Sequence, residues 1–212
     1  MEADLSHGQR QKVTLAIKKA ELLTSGEIIV IAARQSDDYL HVPIHIAAGA
    51  ALAIPFIMPW ASRFFTWAVT PLYWVFVAQL LTFIVVALLL SFSPLRYWVT
   101  PKKLMNKCAH RNAATQFLAV NAHGTGGRTG VLIFVSLLER YCEIIGDTAI
   151  ARKVNRQTWQ KIIDEMLPVL RDGRLTDALV LATERCGHVL AQHFPPGAEN
   201  PNELPDHFIV LN

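Results

Sequence analysis

Two stretches of this chain lack every Lys, Arg, Asp and Glu: PIHIAAGAALAIPFIMPWA, Pro43 to Ala61, and LYWVFVAQLLTFIVVALLLSF, Leu72 to Phe92. Charge is scarce overall as well. Only 17% of residues are Asp, Glu, Lys or Arg, against about 25% in an average soluble protein. The two bare stretches each approach the ~20 residues that a helix needs to cross a hydrocarbon core. Buried core helices of a small soluble domain are the alternative, but they rarely run so long without a charge. A transmembrane helical hairpin is therefore expected.

Other absences narrow the chemistry. The three cysteines, Cys108, Cys142 and Cys186, are scattered with no CxxC pair, which excludes a zinc ribbon or redox motif. No GxSxG marks a hydrolase nucleophile. The glycine-rich run HGTGGRTG, His123 to Gly130, lacks the Lys-Ser/Thr ending of a phosphate loop, and a strand rather than a helix is expected after it. The opening MEADLSHGQRQKV has no apolar core, so no signal peptide is expected and the first span serves as the targeting signal. Net charge is only +3, and the basic residues gather beside the apolar stretches. Nucleic acid is accordingly not an expected partner.

What is present supports a membrane. Trp60, Phe64, Phe65, Trp67, Tyr73 and Trp74 cluster at the hairpin tip, and Tyr97 and Trp98 follow the second span. Amphipathic rings favour the headgroup zone. Pro55 and Pro59 should bend the first span. The loop between the spans holds only Arg63, whereas Arg96, Lys102, Lys103, Lys107 and Arg111 follow the second. The positive-inside bias then puts both termini in the cytoplasm of a cell with the hairpin in its inner (plasma) membrane. Lys102, Lys103, Lys107 and Arg111 are expected to meet anionic headgroups.

The flanking segments read as an α/β fold: a small sandwich with a central mixed sheet flanked by helices, interrupted by the hairpin. Ser6 to Leu23 has a helical stripe of Val13, Ile17, Ala20 and Leu23. Glu27 to Ala33, EIIVIAA, is a continuous β-branched run typical of a strand covered on both faces. Pro101 to Val120 reads as a helix capped by Thr100. Val131 to Leu137 is a second buried strand, and Tyr141 to Ile145 pairs back on it as a hairpin. Arg156 to Leu170 is a helix capped by Asn155, with Pro168 loosening its last turn. Leu175 to Phe194 is the last long helix. HFIVLN at the end reads equally as an edge strand or as nothing. Neither buried strand can stand alone, so both are expected as parallel neighbours in one sheet. The expected organisation is residues 1–40 and 96–195 as one α/β domain, 41–95 as the hairpin and 196–212 as a flexible tail.

Few residues suggest a site. Asp37, Asp38 and Glu139 would share the C-terminal edge of parallel strands, where open sheets bind ligands. Clustered carboxylates there can hold Mg²⁺ or Ca²⁺. Asp147 is expected to pair with Arg128 or Arg152. His41 and His45 are four apart, a spacing that metal ligands use, but no third ligand accompanies them.

Three segments together resemble the TPM domain, named for thylakoid-lumen, photosystem II-associated and worm receptor-associated members. They are TSGEIIVIAA (Thr24 to Ala33), GRTGVLIFVSLLERYCEIIGD (Gly127 to Asp147), and the helix, RDG break, helix and HFP ending from Trp159 to Pro195. The resemblance implies an α/β sandwich with a central sheet. It also implies either an accessory role in membrane complexes, or the acid phosphatase activity and divalent-metal binding linked to some members. Many members carry Asp-Asn-Gly ahead of the second strand, where this chain has Arg128, Thr129 and Gly130. A guanidinium cannot ligate a metal, so the expected role is a non-enzymatic accessory or interaction module, with another membrane protein as partner. A metal-dependent phosphatase using Asp37, Asp38 and Glu139 is the alternative.

Overall fold

The computed structural model describes residues 5–62, 72–121, 129–196 and 208–211. The chain divides into two compact units, Met1–Ser36 with Asn106–Asn212, and Asp37–Met105.

In the first unit, α1 (His7–Glu21) begins at a capping box in which Ser6 and Gln9 satisfy each other's backbone N–H groups. Its buried stripe is Val13, Ala16, Ile17 and Ala20. Leu23, expected on that stripe, is exposed because the helix stops at Glu21, two residues short of it. β1 (Glu27–Ala33) follows, every residue of it buried. β2 (Gly130–Ser136) is equally buried, and β3 (Tyr141–Gly146) completes a hairpin with it. β4 (Phe208–Leu211) forms an edge strand at the end of the chain.

The sheet order is β3-β2-β1-β4, with β1 parallel to both β2 and β4 and β2 antiparallel to β3. This is the expected mixed sheet, with the two β-branched runs as its central pair. Of the expected tail, Phe208–Leu211 is this strand, and 197–207 lie outside the described residues. Alternation distributes the central strands between two cores. Ile28, Val30, Ala32, Val131, Ile133 and Val135 face a large cluster built with α1, α7 (Arg156–Arg171) and α8 (Leu175–His193). Ile29, Ile31, Ala33, Leu132 and Phe134 face a smaller one that includes Ala113 and Phe117 of α5 (Lys102–Asn121).

Side-chain caps set several helix boundaries. Asn155 Oδ1 accepts from Gln157 N at 3.1 Å, as expected. α7 runs through Pro168 to Arg171 and ends in a Schellman turn. There Gly173, at φ 79°, donates to Leu170 O, and Arg174 N reaches Val169 O. A short α6 (Thr148–Lys153) precedes it, unseen in the sequence because its only buried residue is Ile150. Asp147 caps this helix instead of pairing with Arg152, since its carboxylate accepts from Thr148 N; Arg128 lies outside the described residues. α1 lies close against α8 because position 187 is glycine: a Cβ there would come within 2.7 Å of Ala20 Cβ.

The second unit holds α2 (His41–Ser62), α3 (Leu72–Ser91) and α4 (Ser93–Val99). α2 continues through Pro55 and Pro59 without a break in the helix. Two helices, over His41–Met58 and Leu72–Ser91, are long and apolar enough to cross a membrane. α4 was not expected. It takes Thr100 from the role assigned to it: the Thr100 hydroxyl donates to Arg96 O at 2.7 Å, ending α4, while Pro101 O receives the first N–H groups of α5. Most of the aromatic tip lies outside the described residues; Tyr73 and Trp74 are described and exposed.

Candidate functional site

At the C-terminal edge of the parallel pair, three side chains interlock. Ser136 is the last residue of β2 and fully buried. Its hydroxyl donates to Glu139 Oε2 and accepts from Ser36 Oγ at 2.9 Å. The other carboxylate oxygen, Glu139 Oε1, accepts from Ser36 N at 2.8 Å. Glu139 itself is buried. The reason is local: the four-residue turn after β2 carries Glu139 back over the strand end, and Arg140 absorbs the reversal at φ 53°. A buried carboxylate needs such donors to offset its lost hydration.

This gives Glu139 a clamping role at the point where the chain leaves β1. Replacing it by Ala leaves the Ser36 N–H and the Ser136 hydroxyl without their acceptor, at a cost of about 2–3 kcal/mol. Glu139→Gln keeps an acceptor for Ser36 N and should lose less than half as much. Denaturant midpoints of the two variants check this. Equal losses would show that the bond from Ser36 N contributes nothing.

The other two proposed ligands belong to the second unit. Asp37 Oδ1 faces its own turn, accepting from Tyr39 N at 3.4 Å. Among the described residues, no group of three His, Cys, Asp or Glu side chains is gathered to hold a metal ion. His41 and His45 lie on successive turns of α2 with ring centroids 6.3 Å apart, and His45 Nδ1 bonds back to the His41 carbonyl. The His123–Arg128 stretch, including the Arg128 departure, lies outside the described residues.

A second polar cluster escaped the sequence reading. Glu143 of β3 accepts from the Tyr141 hydroxyl at 2.9 Å, and His110 Nδ1 of α5 lies 2.9 Å from the same oxygen, Oε2. Burial first, then the bond to this carboxylate, pushes the Tyr141 phenol well above its ordinary pKa, so it stays a donor. The i, i+2 spacing of Tyr141 and Glu143 signals one strand face, but nothing in sequence pairs them with a helix residue 33 positions away. The first cluster pairs a hydroxyl with a carboxylate, but Ser136 and Glu139 are both buried, so it presents no exposed nucleophile. The cysteines do not supply one: Cys108 and Cys186 are buried, and burial pushes the Cys142 thiol up to about 12.

Comparison with known proteins agrees with this architecture. The solution structure of BA42 protein from the psychrophilic bacterium Bizionia argentinensis superposes with a TM-score of 0.59 at 18% identity, over 97% of this chain and 94% of that one. At that identity the likeness is one of fold. No curated protein matches the chain. Residues 99–189, from the end of α4 through most of α8, match the family model of the TPM domain. The α/β unit described above, with its mixed sheet and its helices, is thus the setting of that match.

Proposed function

We propose that this chain is an integral membrane protein of the inner (plasma) membrane, whose TPM domain serves on the cytoplasmic side as a non-enzymatic interaction module for another membrane protein. One observation carries the membrane part: α3 has no charged residue and no buried residue. A core helix of a soluble domain would be covered. A 20-residue apolar helix left bare is matched to lipid instead. The basic residues after α3 outnumber the single Arg63 between the spans, which favours both ends inside. Lys103, Lys107 and Arg111 recur at every fourth residue along α5, and with Lys102 all are exposed. They form a basic helix side fitted to anionic headgroups. The interaction role rests on the burial of Ser136 and Glu139, which keeps their hydroxyl–carboxylate pair from a substrate, and on analogy with accessory members of the family.

Reporter fusions at the two ends, expressed in cells, test the topology: both should report cytoplasm, and ends on opposite faces would overturn it. Detergent-purified protein should not hydrolyse a generic phosphomonoester with Mg²⁺ or Ca²⁺. Turnover that vanishes in an Asp38→Ala, Glu139→Ala double variant would replace the interaction module with a metal-dependent phosphatase.

A further inference from the structure

Helix α4 is built inside out for water. Its only charged residue, Arg96, is half-buried. The Arg96 guanidinium lies over the Tyr97 ring at 5.3 Å, and its Nε is buried with no acceptor among the described residues. Tyr97 in turn meets the fully buried Tyr39 ring edge-on at 5.9 Å. The opposite side carries Pro94, Leu95 and Trp98, all exposed, with Trp98 at 86%. In α-helical geometry these three fall within about 100° of arc. An aqueous surface helix would turn the arginine out and the indole in.

The placement of α4 matches a different solvent. It begins at Phe92, whose ψ of 132° breaks the helix after α3, and Pro94 sits in its first turn. Exposed apolar residues of α3, among them Leu88 and Leu89, lead directly into exposed Phe92, Leu95 and Trp98. Lys102 and Lys103 follow at once. Apolar surface thus gives way to tryptophan and then to positive charge within a dozen residues, the succession met on leaving an anionic bilayer.

We propose that α4 is an interfacial anchor: it lies flat at the polar–apolar boundary of a phospholipid bilayer, with Pro94, Leu95 and Trp98 turned into the acyl edge. Headgroup oxygens supply acceptors at the level of Arg96. The anchor fixes how far the chain sinks before α5 begins. It rests on the membrane reading above, and the test separates the two.

The full chain is reconstituted in phosphatidylcholine–phosphatidylglycerol vesicles with a nitroxide at one introduced cysteine: Leu81→Cys in α3, Leu95→Cys, Trp98→Cys, or Lys161→Cys as the aqueous reference. The native thiols are buried or held protonated and do not compete. Depth is read from collisions with oxygen and with a water-soluble nickel chelate. Positions 95 and 98 should both lose nickel access relative to 161, lie shallower than 81, and share one depth. A depth difference near the axial rise of about 4.5 Å for three helical residues would show α4 upright and overturn the proposal. Nickel access equal to that at 161, with 81 shielded, would overturn it while leaving the spans in place. Access at all four positions would remove the membrane reading and the anchor with it.

Discussion

Phe134→Ala should cost the first unit about 3–5 kcal/mol, the range for emptying a buried phenylalanine site. Phe134 is fully buried at the centre of β2, facing the smaller of the two cores. That cluster is built from few side chains: Ile29, Ile31, Ala33, Ala113, Phe117 and Leu132 are the other buried members. Four of them, Ile29, Ile31, Ala33 and Leu132, are strand residues held by backbone pairing, so they cannot collapse into the void. The cost therefore belongs at the upper part of the range, and it removes a large share of the roughly 5–15 kcal/mol that stabilises a domain. Guanidinium unfolding in detergent micelles, followed by far-ultraviolet circular dichroism, reads it out. Leu118→Ala is the control: Leu118 is on the same helix as Phe117 but is 68% exposed, and its loss should stay within about 0.5 kcal/mol. A loss below about 1 kcal/mol for Phe134→Ala would mean that α5 does not cover this face.

Leu81→Arg should have effects of opposite sign in the two possible solvents. Leu81 is near the middle of α3 and exposed. On a water-facing helix the change replaces an exposed leucine by a charge, which improves solubility and hardly alters stability. At the centre of a span it adds about 2.5–3.5 kcal/mol to the insertion free energy. That is more than a hundredfold at the upper end, since each 1.4 kcal/mol is about tenfold. The expected result is loss of the chain from the alkali-resistant membrane fraction, with degradation or aggregation in its place. A Leu81→Arg protein that is soluble and monodisperse without detergent would refute the bilayer reading. Ser91→Arg, at the end of the same helix, should insert almost normally, because a terminal arginine can reach the headgroups.

Much of the fold was legible because its signals are local. EIIVIAA and VLIFVS are too short for helices and too uniformly apolar for a one-sided strand, so they had to be covered on both faces. An isolated strand is not viable, which forced the two into one sheet across the intervening segment. Asn155 and the Asp172-Gly173 break marked α7 by chemistry that acts within a turn. The misses were of another kind. α6 and α4 have too few turns to show a period. HFIVLN carries no cue of its own, and β4 exists because β1 offers it a free edge. The candidate carboxylates were grouped from their expected edge of the sheet, but the orientation of a carboxylate depends on which donors come within reach. For Glu139 those donors are Ser136, three positions back, and Ser36, 103 positions away in sequence.

By itself, the order of residues determined where this protein is apolar without relief, which of its longer segments are helical or extended, and that its termini carry the polar mass. These follow from side-chain hydropathy and backbone preference, which each stretch carries regardless of its surroundings. Only the tertiary structure decided the strand order, the partners of Glu139 and Glu143, and the outward turn of Trp98 beside a half-buried Arg96. Those outcomes depend on atoms brought within about 3–6 Å by folding, at distances along the chain that no local pattern encodes.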